Sequence, residues 1–397
     1  MLPDRIAIKV RQKAIRHIKS GHPWLFDQSI VKQNKEGTTG DIAIIFDNKS
    51  NGFLAIGLYD AHSPIRVKIL STKNGTKIDN EWVRLKIHHA FEIRQALLDQ
   101  EVTGFRLLYG ENDGLPGLVC DVYGPCAVLK LYSLIWQPFL DIICDTIMEI
   151  TKSTSIVLRL SRLIQKQNPP TLSDGLLLRG QLNNPEVVFR EYGVRYYAHV
   201  IHGHKTGFFL DHRQNRRYVQ SIAKQKTVLD VFTYAGGFAI HAAVGGAKSV
   251  TAIDISKPAL ALAQKNAELN KVKIDTIAGD AFKIPQQLTQ EKKKYDLIII
   301  DPPAFAKSQK EVPKALEQYA RLAQLGIQLT ANKGTLILAS CSSRVSQEDF
   351  FRTVESAMRR TRHSYVKLKQ TGHDLDHPTG FSEGSYLKTG YYELAIN

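Results

Sequence analysis

From Thr227 onward the chain repeats one pattern. Thr227–Val231, Ser249–Ile253, Ile274–Ile277, Tyr295–Ile300 and Gly334–Ala339 are short apolar runs separated by helical stretches. Such runs suit strands buried on both faces and the spacers suit crossover helices, so the pattern predicts repeated βα units and a mostly parallel α/β sheet. Sheets of this kind bind ligands outside the C-terminal ends of their strands. The residues that close these runs are therefore where function is to be sought.

A chain of 397 residues, 43% hydrophobic, is long enough to bury more than one core. Its first part reads differently from its last. Asp41–Phe46 and Gly52–Gly57 are apolar stretches joined by the turn signal Asp47-Asn48-Lys49-Ser50-Asn51-Gly52, the grammar of a small β-barrel. Composition shifts at Ser71–Thr76, a linker, into a helix-period segment with Ile87, Ala90, Phe91, Leu97 and Leu98 on one face. Strands are expected near Gly117–Cys120, Ala127–Leu131, Ile156–Leu160 and Val187–Val200, with a helix near Pro138–Ile150. Three domains follow: 1–73, a central α+β domain over 74–190, and the βα region over 191–397.

The formal net charge is +15, an excess that favours a polyanionic partner such as nucleic acid over a neutral metabolite. Arg5, Lys9, Arg11, Lys13, Arg16 and Lys19 crowd the first twenty residues, opposed only by Asp4. This reads as one electropositive patch, in which Arg11, Lys13 and Arg16 are candidate RNA contacts; a merely solvated face is the competing reading. Cys120, Cys126, Cys144 and Cys341 show no zinc or disulfide spacing and are expected to be free thiols in a reducing compartment. No apolar run approaches the roughly 18 residues that span a bilayer, so a cytoplasmic protein without membrane contact is expected. A homodimer is compatible with the sequence.

Four aspartates, Asp230, Asp254, Asp280 and Asp301, stand at the ends of successive runs and are expected to line one cleft. After Asp230 comes Val231-Phe232-Thr233-Tyr234-Ala235-Gly236-Gly237-Phe238, whose paired glycines let backbone approach a ligand. The full G-x-G-x-x-G is lacking, which argues against a pyrophosphate cradle. Asp254 is placed to accept from a ribose, and Gly279-Asp280-Ala281-Phe282 offers polar and aromatic contacts to an adenine, although Asp280 also suits a helix N-cap. Tyr234, Gly236, Ile255 and Ala281 complete the cofactor side. A ribose without a pyrophosphate fits S-adenosyl-L-methionine.

Asp301-Pro302-Pro303-Ala304-Phe305-Ala306-Lys307 must be a rigid turn, because its prolines stop both strand and helix. There Asp301 can hydrogen-bond the edge of a flipped-out base, Phe305 can stack on it, and Lys307 faces the nucleic acid. The run Thr335–Ser342 ends in Ser340-Cys341-Ser342. If the two runs are neighbouring parallel strands, a thiol stands beside a carboxylate. Carbon 5 of a pyrimidine is a poor nucleophile until a group adds at carbon 6, and ionised cysteine suits that task. A nearby cation such as Lys307 or Arg344 would favour the thiolate. His199, His202 and His204 lack a fourth partner at metal spacing, so no metal is assigned.

These motifs together resemble a known family. Gly21-His22-Pro23-Trp24-Leu25-Phe26 resembles the opening of a PUA RNA-binding domain. Lys205–Arg216, Asp230–Phe238, Asp301–Phe305, Ser340-Cys341-Ser342, Asp376-His377-Pro378 and Glu383–Lys388 resemble bacterial 23S ribosomal RNA cytosine-5 methyltransferases of the large-subunit methyltransferase I type. The likeness spans essentially the whole chain. It implies a PUA domain over 1–73, a small central α+β domain, and a class I S-adenosylmethionine-dependent methyltransferase fold with a seven-stranded sheet. It also implies Cys341 as nucleophile, Asp301 as the base-orienting carboxylate, Asp230, Asp254 and Asp280 on the cofactor side, and Phe209 and Arg213 bordering the cofactor. Many RNA cytosine-5 enzymes carry a second cysteine after the proline of the Asp-Pro motif, where this chain has Pro303 and Ala304. Release of the adduct must then use another base.

Three other readings compete. A base-nitrogen RNA methyltransferase would use the same fold without a covalent step. A catalytically inactive assembly factor would have no need of the strand-end aspartates. A nicotinamide dehydrogenase is disfavoured by the incomplete glycine fingerprint and by the positive charge.

Overall fold

The computed structural model describes residues 3–361 and 363–395. Two compact units emerge. The first holds the chain up to Phe189 with Ala198–Phe208 and Leu375–Phe381; the second holds Arg190–Tyr197, Phe209–Asp374 and the chain from Ser382 onward.

In the second unit, helix α1 (Arg213–Ile222) precedes β1 (Thr227–Val231), α2 (Gly237–Val244), β2 (Ser249–Asp254), α3 (Lys257–Leu269), β3 (Asp275–Ala278), α4 (Lys283–Gln290) and β4 (Tyr295–Ile300). Then come α5 (Val312–Leu329), β5 (Thr330–Ser340), α6 (Gln347–Arg359), β6 (Ser364–Thr371) and β7 (Lys388–Ala395). The sheet order is β3-β2-β1-β4-β5-β7-β6. The first five strands pair in parallel, and β7 inserts antiparallel between β5 and β6. The chain runs outward from β1 to β3, then returns to place β4 on the other side of β1. That reversal is the switch point at which an open α/β sheet forms its ligand crevice.

The continuous apolar strands do what their composition predicts: Leu229, Val231, Ile298, Ile300, Leu336 and Leu338 share one core with α5 and α6 residues such as Leu322, Ile327 and Phe350. Gly326 lets α5 lie close to the sheet, since a Cβ there would stand 2.7 Å from Leu336 Cδ1 and 3.0 Å from Ile300 Cδ1. Strand β5 starts earlier than the expected Gly334. It runs from Thr330 through an irregularity in its pairing with β4, with Lys333 at φ 59°. Asn332-Lys333-Gly334 has turn chemistry, and here that chemistry makes a bulge.

In the first unit, a six-stranded sheet has the order Trp24–Phe26, Ile65–Ser71, Phe53–Tyr59, Ile42–Asp47, Arg5–Val10, Ile30–Gln33. Helix Gln12–Lys19 sends Ala14, Ile15 and Ile18 into a core with Ile6, Ile8 and Val10, and this leaves Lys13, Arg16 and Lys19 exposed. A five-stranded sheet follows, ordered Leu177–Gly180, Ser155–Leu160, Cys126–Leu131, Leu118–Tyr123, Gly104–Tyr109. Helix Asn80–Leu98 buries Ile87, Ala90 and Leu97, but Leu98 is exposed and Phe91 half-buried. Its inner face is completed instead by Arg94, wholly buried and bidentate to Asp113 at 2.9 and 2.7 Å. The stretch Val187–Val200, expected as one strand, is a hairpin of Glu186–Glu191 and Val194–His199, of which Arg190–Tyr197 belongs to the second unit. Tyr192 and Gly193, both at positive φ (50° and 82°), make the turn.

The second unit contains a buried ionic cluster. Glu191 accepts from Arg216 Nε at 2.8 Å and Nη2 at 2.6 Å, and lies 3.4 Å from His241 Nε2. Burial alone would raise the Glu191 carboxyl, but Arg216 and His241 outweigh it and hold it below its ordinary value. Removing the cation strands a buried charge, which typically costs about 3–5 kcal/mol. Arg216→Ala is therefore expected to lower unfolding free energy by about that amount in urea titrations, and a loss under about 1 kcal/mol would contradict the pairing.

Candidate active site

The turn after β1 is built around Asp230, which is buried. Its Oδ2 accepts from Thr233 Oγ1 at 2.5 Å and from the Ala239 N–H at 3.0 Å, while Oδ1 is enclosed with no hydrogen-bond partner. Phe232 (φ 67°) and Tyr234 (φ 50°) take left-handed backbone conformations, strain of the kind that collects at functional turns. Gly236 is also left-handed (φ 81°), and a Cβ there would press to 2.9 Å on Ile240 and 3.1 Å on Ala263. Asp254 ties this turn to the next: its Oδ2 accepts from the Tyr234 N–H and its Oδ1 from the Ser256 N–H, both at 2.9 Å.

Ile255 follows, 75% exposed, an apolar surface beside a carboxylate. Phe209 meets Tyr234 edge-to-face at 5.1 Å. Asp280 takes the capping role: its Oδ1 accepts from the Phe282 and Lys283 N–H groups at the start of α4, both at 2.9 Å. Ala281 is buried. Arg213 is also buried and pairs with Asp374 at 2.5 Å.

Across the switch point, β4 and β5 pair in parallel with Ile300 opposite Leu338. Asp301 and Cys341 therefore emerge from adjacent strands at the same edge. The Cys341 thiol points at the Pro302 carbonyl, 3.7 Å away, and the cysteine is half-buried. The Asp301 side chain is 24% exposed. A hydroxyl network pins the two loops together: Ser340 Oγ donates to Tyr319 Oη at 2.8 Å, Tyr319 Oη lies 2.9 Å from Ser342 Oγ, and Ser342 Oγ accepts from the Phe305 N–H at 3.1 Å. Phe305 is half-buried and packs against Tyr319 at 5.1 Å, so its ring seats the Asp-Pro-Pro loop on the core.

Two residues of this site were not singled out as site residues by the sequence reading. His212, buried, places Nε2 3.3 Å from Asp301 Oδ1. Asn215 Nδ2 donates to His212 Nδ1 at 2.9 Å and to Thr389 Oγ1 at 3.1 Å, while its Oδ1 accepts from Thr371 Oγ1 at 2.8 Å and Tyr391 Oη at 2.7 Å. The amide thus holds the ring at Nδ1 and leaves Nε2 facing Asp301. Burial alone would push the imidazole down, but Asp301 outweighs it and holds His212 above its ordinary value.

The second residue is Lys388, buried, whose Nζ donates to the Ser342 and Val345 carbonyls at 2.7 Å each. Lys307 and Arg344, the cations expected beside the thiol, are exposed. His212 lies in the Lys205–Arg216 motif and Lys388 in the Glu383–Lys388 motif, but only pairing across the sheet shows what they face.

The other cysteines differ from Cys341. Cys120, Cys126 and Cys144 are buried, and burial pushes all three thiols up, Cys144 to about 11. They pack as small apolar groups.

The sequence profile of the S-adenosylmethionine-dependent methyltransferases matches residues 157–383, and that of the PUA-like domains matches residues 8–72. A ribosomal RNA large subunit methyltransferase of Deinococcus radiodurans is 39% identical, the match covering 98% of each chain. A ribosomal RNA large subunit methyltransferase I of Aeromonas salmonicida is 33% identical over 96% of each. Among solved structures, SMU.776 in complex with S-adenosylhomocysteine superposes with a TM-score of 0.82 at 20% identity, covering 98% of this chain and 100% of that one. It shares the fold. The enclosed Asp230 oxygen, the Gly236 approach and the exposed Ile255 fit a nucleoside-bearing, positively charged cofactor of this class.

Burial is the largest influence on Asp230 and raises its carboxyl to about 7, against the hydrogen bonds from Thr233 and Ala239 that lower it. The folded state therefore holds a proton that the unfolded chain has already released, so stability falls as pH rises from the ordinary carboxylate range to about 7 and levels off above it. Asp230→Asn is expected to remove that decline, so its melting temperature in the absence of ligand gains on the unmutated protein between pH 4 and pH 8. Parallel curves over that range would refute the buried proton.

Proposed function

The chain belongs to the S-adenosylmethionine-dependent methyltransferases of the ribosomal RNA large subunit methyltransferase I family, and from that premise we propose that it methylates carbon 5 of a cytidine in 23S ribosomal RNA through a covalent adduct with Cys341. The observation that carries this reading is the juxtaposition of a half-buried thiol with the Asp301 loop. A merely structural cysteine would be expected to resemble the other three.

S-adenosyl-L-methionine supplies an electrophilic sulfonium methyl. Asp230, Tyr234, Gly236, Asp254, Ile255, Ala281 and Phe209 would hold it at the turns after β1, β2 and β3, with Asp280 shaping the last of these and Arg213 supporting the wall through Asp374. Asp301, steadied by His212, hydrogen-bonds the edge of a base taken out of its stack. The Cys341 thiolate would bond to carbon 6, moving the electron pair of the 5,6 double bond to carbon 5, which would take the methyl as the methyl–sulfonium bond breaks, its electron pair going to sulfur and S-adenosylhomocysteine leaving. Loss of the carbon 5 proton to a base restores the double bond as the carbon–sulfur bond breaks, returning the thiolate.

Segment 1–73 supplies the RNA grip. Arg11, Lys13 and Arg16 are exposed around one short helix and would contact phosphates, with Lys307 adding charge near the catalytic loop. Phosphate contacts position a nucleic acid without reading its bases. The central segment 74–190 joins this grip to the methyltransferase domain.

Cys341→Ala is expected to abolish methyl transfer while binding S-adenosylhomocysteine as tightly as the unmutated protein. RNA carrying 5-fluorocytidine should form an adduct with the unmutated protein, stable to denaturing electrophoresis. Full turnover by the alanine variant would instead indicate methylation of a base nitrogen. Replacing Arg11, Lys13 and Arg16 together by Gln should weaken RNA binding and reduce the slope of log affinity against log salt by about 2–3, read from filter binding at several salt concentrations; an unchanged slope would place the RNA elsewhere.

A further inference from the structure

Two lysines are buried among the described residues, and only one has a counter-ion. Lys68 is paired with Asp60 at 2.9 Å. Lys388, 3% exposed, has two backbone carbonyls as partners, and no carboxylate lies within ion-pair distance of it among the described residues. Burying an ammonium typically costs several kcal/mol unless an opposite charge offsets it. Carbonyl dipoles offset part of that cost. The remaining positive charge faces the loop that carries Cys341.

The placement follows from the sheet. In the antiparallel pairing of β5 with β7, Lys388 lies opposite Ser340, the residue before Cys341. Its ammonium spans the turn after the cysteine, gripping the carbonyls of Ser342 and Val345. Ser342 is also held from below by Tyr319 and Phe305. Burial, the larger influence, lowers Lys388 to about 8, and the Cys341 thiolate is the group that raises it. The lysine thus remains mostly protonated at neutral pH. Tyr319 feels the charges of both Cys341 and Asp301, and neither Tyr319 nor Asp301 is a cation at any pH.

We propose that Lys388 is a positioning residue for the nucleophile, its buried ammonium fixing the turn after Cys341 and providing the thiolate with its counter-charge. The inference rests on Cys341 as the nucleophile. In its neutral form the thiol needs no such partner, and a Met at position 388 would fill the same space without a charge. What Lys388 adds is a bias toward the ionised sulfur, the form that attacks carbon 6. Charge retained without the lysine's shape, as in Lys388→Arg, would keep part of that bias.

The test is alkylation of Cys341 in the intact protein, followed by peptide mass spectrometry between pH 6 and pH 10. Lys388→Met is expected to alkylate at Cys341 about tenfold more slowly at pH 7, equivalent to about 1.4 kcal/mol. The midpoint of its profile should move up, its kcat for methyl transfer should fall by a similar factor, and S-adenosylhomocysteine affinity should hold. A merely structural lysine would lower folded yield or cofactor affinity and leave the profile's midpoint in place. A second reading needs no substitution: in the unmutated protein the rate ratio of anionic iodoacetate to neutral iodoacetamide at Cys341 should fall as pH rises from 7 to 9 and Lys388 loses its charge.

An unchanged midpoint in a folded Lys388→Met protein overturns the proposal, as does a flat reagent ratio if that variant does not fold. Neither outcome bears on whether Cys341 is the nucleophile. Conversely, full methyl transfer by Cys341→Ala would end the nucleophile reading while the alkylation data still reported whether Lys388 acts on the sulfur.

Discussion

The parallel pairing of β4 with β5 is the constraint from which the site follows. With Ile300 opposite Leu338, the residues just past each strand share one edge, and the thiol of Cys341 meets the carbonyl of Pro302. A slip of one residue in either strand would exchange the residues packed on its two faces and shift Asp301 or Cys341 along the edge. The core residues Ile298, Ile300, Leu336 and Leu338 thus set the geometry of the candidate site while they stabilise the sheet. Tyr319, delivered by α5, then locks Ser340 and Ser342 by hydroxyl contacts, so helix, strand and loop settle together.

Around that edge the chain departs from what stability alone would choose. Asp230 is buried with one oxygen unpartnered, Phe232 and Tyr234 are held at positive φ, and Lys388 is buried without a carboxylate. Elsewhere the buried charges are matched: Arg216 with Glu191, Arg94 with Asp113, Lys68 with Asp60. The contrast separates scaffold from site. At the turn after β1, a cationic cofactor would supply the partner that the Asp230 oxygen lacks.

Much of this was written plainly in the residues. Continuous Val, Ile and Leu runs announce parallel strands, and five of them stand where expected, because a strand buried on both faces has little freedom in composition. The aspartates and Cys341 were legible because they terminate those runs. Less visible were features that depend on long-range pairing. Arg94 sits on an apolar-looking helix face and Lys388 opens an apolar strand, and nothing local distinguishes either from a solvated side chain. The hairpin at Tyr192-Gly193 hid because Tyr is an uncommon residue for a left-handed position, and the β5 bulge hid because Asn332-Lys333-Gly334 has the chemistry of a turn.

The antiparallel strand β7 then explains why the end of the chain matters to a site built mostly from parallel strands. Inserted beside β5, it brings Lys388 opposite Ser340 at its first residue. Thr389 and Tyr391 on the same strand hold Asn215, with Thr371 of β6 completing the set. Asn215 in turn fixes His212 against Asp301. One strand thus reaches the surroundings of both Cys341 and Asp301 by separate routes, through Lys388 to the carbonyls of the turn after the thiol and through an amide and an imidazole to the carboxylate. A parallel strand in that place would need another crossover and would run in the opposite sense. Reversing the strand places its first residues, rather than its last, at the edge where Asp301 and Cys341 emerge.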